Sequence, residues 1–119
     1  MQIDKDLVAA SATPLVLAIL SEGESYGYAI LKRIRDLSDG ELVWTDGMLY
    51  PLLHRLHRQG HVTAHWRTST EGRRRKYYAI TEGGRSALDE QRRQWATVTS
   101  ALDDVWLKIQ TRPRLAEGR

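Results

Sequence analysis

Between Thr45 and Gly60, Leu49, Leu52, Leu53 and Leu56 stand at i, i+3, i+4 and i+7, the spacing of a single buried helical stripe. At about 100° per residue the opposite face collects Gly47, Pro51, His54 and Arg58, flanked by Met48, Tyr50 and Arg55. The pattern predicts a helix that packs on one side and presents basic and aromatic groups on the other. Thr45 or Asp46 caps its start, and Gly60 ends it with Arg58 in the last turn, facing the negative end of the helix dipole. Pro51 falls about one turn inside and predicts an irregular beginning between Asp46 and Tyr50.

Upstream, Met1 to Ala12 fits either a helical arm or a frayed lead-in. Thr13 and Pro14 read as a cap and first helical residue, opening a short apolar helix through Val16, Leu17, Ile19 and Leu20 that stops between Ser21 and Glu24. A second helix starts at Ser25, with Tyr28, Ile30, Leu31, Ile34 and Leu37 as its stripe, and ends at Asp39-Gly40. Leu42 to Trp44 is a very short strand candidate. After Gly60 the period becomes two: Val62, Ala64 and Trp66 alternate with Thr63, His65 and Arg67. A turn at Thr70-Glu71-Gly72 and a second β-type run from Arg74 to Ile80 make this a hairpin, in which Tyr77 and Tyr78 point to opposite faces. Thr81 then caps a helix from about Glu82 to Thr111. Leu88, Gln91, Trp95, Val98, Leu102, Val105 and Ile109 step alternately by three and four, a heptad seam that Ala101 and Trp106 widen.

Helix, helix, strand, helix and hairpin, followed by a long helix, give a mainly α chain with a small β wing, an α+β winged helix-turn-helix. Residues 1–81 form the winged-helix DNA-binding domain. Residues 82–111 form a dimerisation helix packed as part of the same compact chain, and 112–119, with Pro113 and Gly118 among charges, a mobile tail. A length of 119 residues suits one domain with one core. The longest apolar run, Leu15 to Leu20, is far short of the ~20 residues that span a bilayer. The absence of cysteine removes disulfides and thiol chemistry and fits a reducing cytoplasm.

The formal net charge is only +3, so its placement matters more than its size. Arg67, Arg73, Arg74, Arg75 and Lys76 crowd the hairpin tip against the single acid Glu71. Cations there suit phosphates, while base discrimination must come from the helix. The candidate DNA-binding residues are therefore Thr45, Gly47, Met48, Tyr50, His54 and Arg58 on the helix and Arg73, Arg74, Arg75 and Lys76 on the wing. Met48 suits a thymine methyl, Tyr50 a phosphate or sugar, and Gly47 close approach of the helix start. A charged hairpin edge also discourages aggregation, and a basic wing also suits an acidic protein partner, which keeps a protein-interaction module as the alternative function.

Tyr26-Gly27-Tyr28, Leu49-Tyr50-Pro51-Leu52-Leu53-His54-Arg55-Leu56, Gly72-Arg73-Arg74-Arg75-Lys76-Tyr77-Tyr78 and Thr81-Glu82-Gly83-Gly84 resemble, in order and spacing, the signature stretches of PadR-type transcriptional regulators. The resemblance covers roughly Pro14 to Trp106. It implies a homodimeric bacterial repressor of double-stranded DNA, of the small branch with a single carboxy-terminal helix. The dimer contacts expected on that helix are Leu88, Gln91, Trp95, Val98, Leu102, Val105, Trp106 and Ile109. In drug-responsive members a tryptophan of this helix stacks on flat hydrophobic ligands at the dimer centre. Trp95 falls at the matching place, although Arg92, Arg93 and Gln94 precede it with more charge than that pattern carries.

The four histidines, His54, His57, His61 and His65, lie close together in the chain, but their spacing across a helix end and a strand opposes a shared metal. Asp103 and Asp104 read as solvated side chains. No phosphate loop, nucleophile elbow or base–nucleophile pair is present, so neither cofactor nor catalysis is expected.

Overall fold

The computed structural model describes residues 1–111, which excludes the stretch expected to form a mobile tail. The elements run α1 (Lys5–Ser21), β1 (Ser25–Tyr26), α2 (Gly27–Leu37), α3 (Asp46–Arg58), β2 (Val62–Thr68), β3 (Arg74–Ile80) and α4 (Glu82–Thr111). A first unit spans Met1–Asp89, and a second begins at Glu90.

α1 is longer than expected. Asp4 caps it, its carboxylate accepting from Asp6 N at 2.8 Å, and Pro14 lies inside the helix. Thr13 is therefore no cap; its Oγ1 accepts from Arg55 Nη2 at 3.0 Å. The missing Pro14 N–H breaks one rung, while Val8, Ala12 and Leu15 pack against the core on both sides of it, and this burial outweighs the local break. α2 starts two residues later than expected because Ser25–Tyr26 pairs antiparallel with β3, Ser25 opposite Tyr78 and Tyr26 opposite Tyr77. Leu42–Trp44 is correspondingly not a strand. The edge of β3 is occupied by β1, and Trp44 is buried in the core instead. Of the α2 stripe, Ile30 and Ile34 are buried, whereas Tyr28 and Leu37 are exposed.

α2 and α3 end alike. Gly40 N donates to Arg35 O at 2.8 Å, with Asp39 in the left-handed region at φ 51°. His61 N donates to Leu56 O at 2.9 Å and Gly60 N to His57 O at 3.0 Å, around Gly60 at φ 78°. Both are six-to-one closures that satisfy terminal carbonyls and turn the chain sharply. Contrary to the expectation from Pro51, α3 is helical from Asp46 onward. Pro51 is exposed, so the carbonyl left without its rung faces water.

The core gathers Val16, Leu17, Ile19 and Leu20 of α1, Ile30 and Ile34 of α2, all four α3 leucines, Trp44, Val62, Tyr78 and Leu88. Each fully buried leucine contributes about 2 kcal/mol of transfer free energy. The sheet order is β1-β3-β2, with Val62 opposite Ile80 and Thr68 opposite Arg74. The alternation predicted for β2 holds at its base, where Val62 is buried, and fails at Trp66, which is exposed because the hairpin has by then left the core.

Thr81 joins the hairpin to α4. Its Oγ1 accepts from Gly84 N at 3.0 Å, as a cap should, and donates to Gly60 O at 2.6 Å, tying the α3 end to the α4 start. Gly84 packs so closely that a Cβ would collide with the His61 carbonyl and approach Ile80 Cγ1 to 2.7 Å. Gly84→Ala is expected to lower unfolding stability by about 1–3 kcal/mol, whereas Gly83→Ala, with no such neighbour, should fall within the ordinary helix-propensity range; urea unfolding of both variants checks the contrast.

Candidate nucleic-acid interface

Burial of Leu49, Leu52, Leu53 and Leu56 sets the rotation of α3. Tyr50 and His54, one turn apart, then emerge on the side facing the wing, their ring centres 6.5 Å apart. A cleft of about 700 Å³ opens there, bordered by Tyr26, Gly27 and Tyr28 at the start of α2, Tyr50 and His54 of α3, and Trp66, Tyr78 and Arg73 to Lys76 of the hairpin. The amino-terminal end of α2, where backbone dipoles favour anions, borders the same space.

The wing tip is held by its own turn. Ser69 N donates to Arg73 O at 2.8 Å, Arg73 N donates to Ser69 Oγ at 3.1 Å, and Gly72 takes φ 85°. Pairing of Trp66 with Lys76 and of Thr68 with Arg74 puts those four on one face of the ribbon, with Tyr78. Arg67, Arg75, His65 and Tyr77 take the other. The tip cations are thus divided. Arg67 is held by Glu24, which also reaches His65 Nε2 at 3.1 Å, and lies 4.8 Å over the Tyr77 ring. Arg75 lies 4.3 Å over Tyr26, whose ring meets Tyr77 edge-on at 5.4 Å. Arg74 lies over Trp66 and Lys76 over Tyr78, at 5.4 and 5.9 Å. Arg67, one of the cations crowding the tip in sequence, is therefore spoken for by an acid.

Tyr78 is buried, and its hydroxyl has no hydrogen-bond partner among the described residues. Burial, with a smaller contribution from Tyr50, raises its pKa above the ordinary tyrosine value and keeps the phenol neutral. Glu22, by contrast, is held below the usual glutamate range by hydrogen bonds from Arg33, at 3.0 and 2.6 Å. This exposed pair joins the α1 end to α2 and adds little stability.

Of the helix residues singled out in sequence, only Tyr50 and His54 border the cleft. Thr45 is exposed and makes no side-chain capping bond, Gly47 has room for a methyl group, and Arg58 is exposed in the last turn. Met48 stands apart, beside Val8, Val43 and Trp44 on the α1 side of the helix. Tyr26, Tyr28, Trp66 and Tyr78 went unrecognised as cleft residues; a signal existed for Trp66, since two strand residues diagonal to each other share a face whenever a hairpin register is known. Among the described residues no group of metal-ligating side chains converges, and no helix is long and apolar enough to cross a membrane.

Residues 16–90 match the model of the transcriptional regulator PadR-like family, a span that takes in the core, the cleft and the wing. The chain belongs to the PadR-like family. Its fold superposes on a PadR-like transcriptional regulator from Bacillus cereus with a TM-score of 0.77 at 25% identity, covering 86% of this chain and 97% of that one. A transcriptional regulator from Clostridium thermocellum gives a TM-score of 0.76 at 29% identity, covering 84% and 97%. The transcriptional regulator YqjI of Escherichia coli is 36% identical over 80 residues, 67% of this chain but 37% of its own length. The chain is thus a DNA-binding transcription regulator with a PadR-type winged helix.

Two of the PadR-like stretches meet in the cleft. A Cβ at Gly27 would overlap Tyr50 Oη and stand 2.8 Å from its Cζ, so the tyrosine ring lies directly on the α2 backbone. Gly27→Ala is expected to cost about 1–3 kcal/mol and Tyr50→Leu to relieve most of that penalty, a coupling that a double-mutant cycle in urea reads directly.

Proposed function

We propose that this PadR-like chain is a homodimeric repressor whose two reading heads occupy a pseudo-palindromic operator, their α3 helices about 34 Å apart along the duplex. The observation that carries the reading is the exposed apolar series on α4: Val98, Leu102, Val105, Trp106 and Ile109 are each 40% exposed or more, at heptad spacing. Such a row on a lone helix is costly in water and is covered well by a second copy. Leu88, the first position of the expected seam, is already buried in the chain's own core, so the seam starts later, at Gln91 or Trp95.

In this reading phosphates lie in the cleft against Tyr50, Arg74 and Lys76, with Arg73 and Arg75 at its border, while Thr45, Gly47 and His54 face the bases and Arg58 the flanking backbone; Met48, turned toward α1, takes no part. Trp95 is half-buried and offers a flat surface to an aromatic effector. A ligand that prefers one packing of the paired helices changes the angle between the heads and shifts the population able to bind DNA.

Two measurements test this. Arg75→Ala should weaken binding to specific and random duplex alike and lower the slope of log affinity against log salt by about one; a slope equal to that of the parent removes the wing from the site. In sedimentation, Leu102→Asp should yield monomers or unfolded chain, since an aspartate in the seam is left without a partner. A variant that stays fully dimeric places the interface elsewhere.

A further inference from the structure

Trp66 is 57% exposed, on the cleft face of the wing, and carries the Arg74 guanidinium 5.4 Å from its ring centre. The hairpin register explains the pair. Trp66 lies opposite Lys76 and Arg74 opposite Thr68, so the two are diagonal neighbours on one face, within reach for a long side chain. Indole is the strongest of the aromatic partners for a cation, and a guanidinium held over it keeps donors free for a further acceptor. An arginine at a hairpin tip otherwise loses rotamer freedom when it engages a phosphate. No acid is paired with Arg74 among the described residues, in contrast to Arg67, which Glu24 holds.

We infer that Trp66 is a positioning residue for DNA binding: its ring pre-sets Arg74 toward the cleft, so that this cation joins the phosphate contact already oriented. The inference rests on the DNA-binding site proposed above. It assigns to a neutral side chain a role in an electrostatic contact, which predicts an effect that charge counting alone does not. Removing the ring leaves the charge of the protein unchanged, yet it should reduce the number of phosphates neutralised.

The test is a salt titration of binding to a mixed-sequence duplex of about three helical turns, using the full chain. Trp66→Ala and Trp66→Leu should each lower the salt slope by about one, as Arg74→Ala does. Trp66→Phe should keep most of the slope, because a benzene ring still supports the stack. The double variant Trp66→Ala, Arg74→Ala should fall no further than either single one. Circular dichroism and thermal melting of each variant establish that the fold is intact. A parent-like slope in Trp66→Ala, a Trp66→Leu variant that keeps the slope, or losses that add in the double variant would each overturn the positioning role while leaving DNA binding in place. A parent chain that fails to bind the duplex at low salt would remove the site itself, and the inference with it.

Discussion

The rotation of α3 is the constraint on which the interface depends. Four leucines at i, i+3, i+4 and i+7 all enter the core, with Leu52, the most accessible of them, only 6% exposed. Turning the helix by one residue would expose them, at a cost of several kcal/mol by the area rule, so the helix has one orientation. Tyr50 and His54 then face the cleft, and Met48 faces α1, whatever the preferences of their own side chains. The face left exposed is the complement of the face that packs.

The cleft is bounded by two close approaches at glycine, of which the one at Gly84 is against backbone. The Tyr50 ring lies on the backbone of Gly27, bringing α3 onto the start of α2, and Gly84 lies under the His61 carbonyl, bringing the start of α4 onto the chain leaving α3. Between them Thr81 is bonded to both sides, to Gly60 O and to Gly84 N. α3 is thereby held at both ends, and the hairpin leaves the core from a fixed base. Its tip, beyond the reach of core burial, is ordered by different means: guanidinium groups laid over aromatic rings and the Glu24 pairing of Arg67 and His65. Those means leave it responsive to salt in a way that the base is not.

Much of this was legible along the chain. The periods of 3.6 and two located α3 and the hairpin, Gly60 and Asp39-Gly40 marked two helix ends by a backbone geometry few residues adopt, and Thr81 announced α4. Only one of the adjacent pair Tyr77 and Tyr78 is in the core, as alternation requires. Where local reading went astray, a distant partner had decided the matter. Pro14 looked like a helix start because a proline inside a helix costs a rung, and the burial of Val8 and Ala12 that offsets it comes from other elements. Ser25–Tyr26 is too short to show any alternation and becomes a strand only because β3 offers it an edge.

The sequence by itself determined which faces of its helices are apolar, where the chain turns, and that an excess of cations sits on one hairpin, because these follow from side-chain chemistry at fixed spacing. Only the tertiary structure decided which cations are available. Arg67 was counted with its neighbours until the α1–β1 turn brought Glu24 to it, and Arg74 acquired a ring to lie on through a strand register that no local pattern specifies. The division has a physical origin: burial is roughly proportional to area and can be read from residue type, whereas electrostatic and stacking contacts depend on distances of a few ångströms that only the folded chain sets.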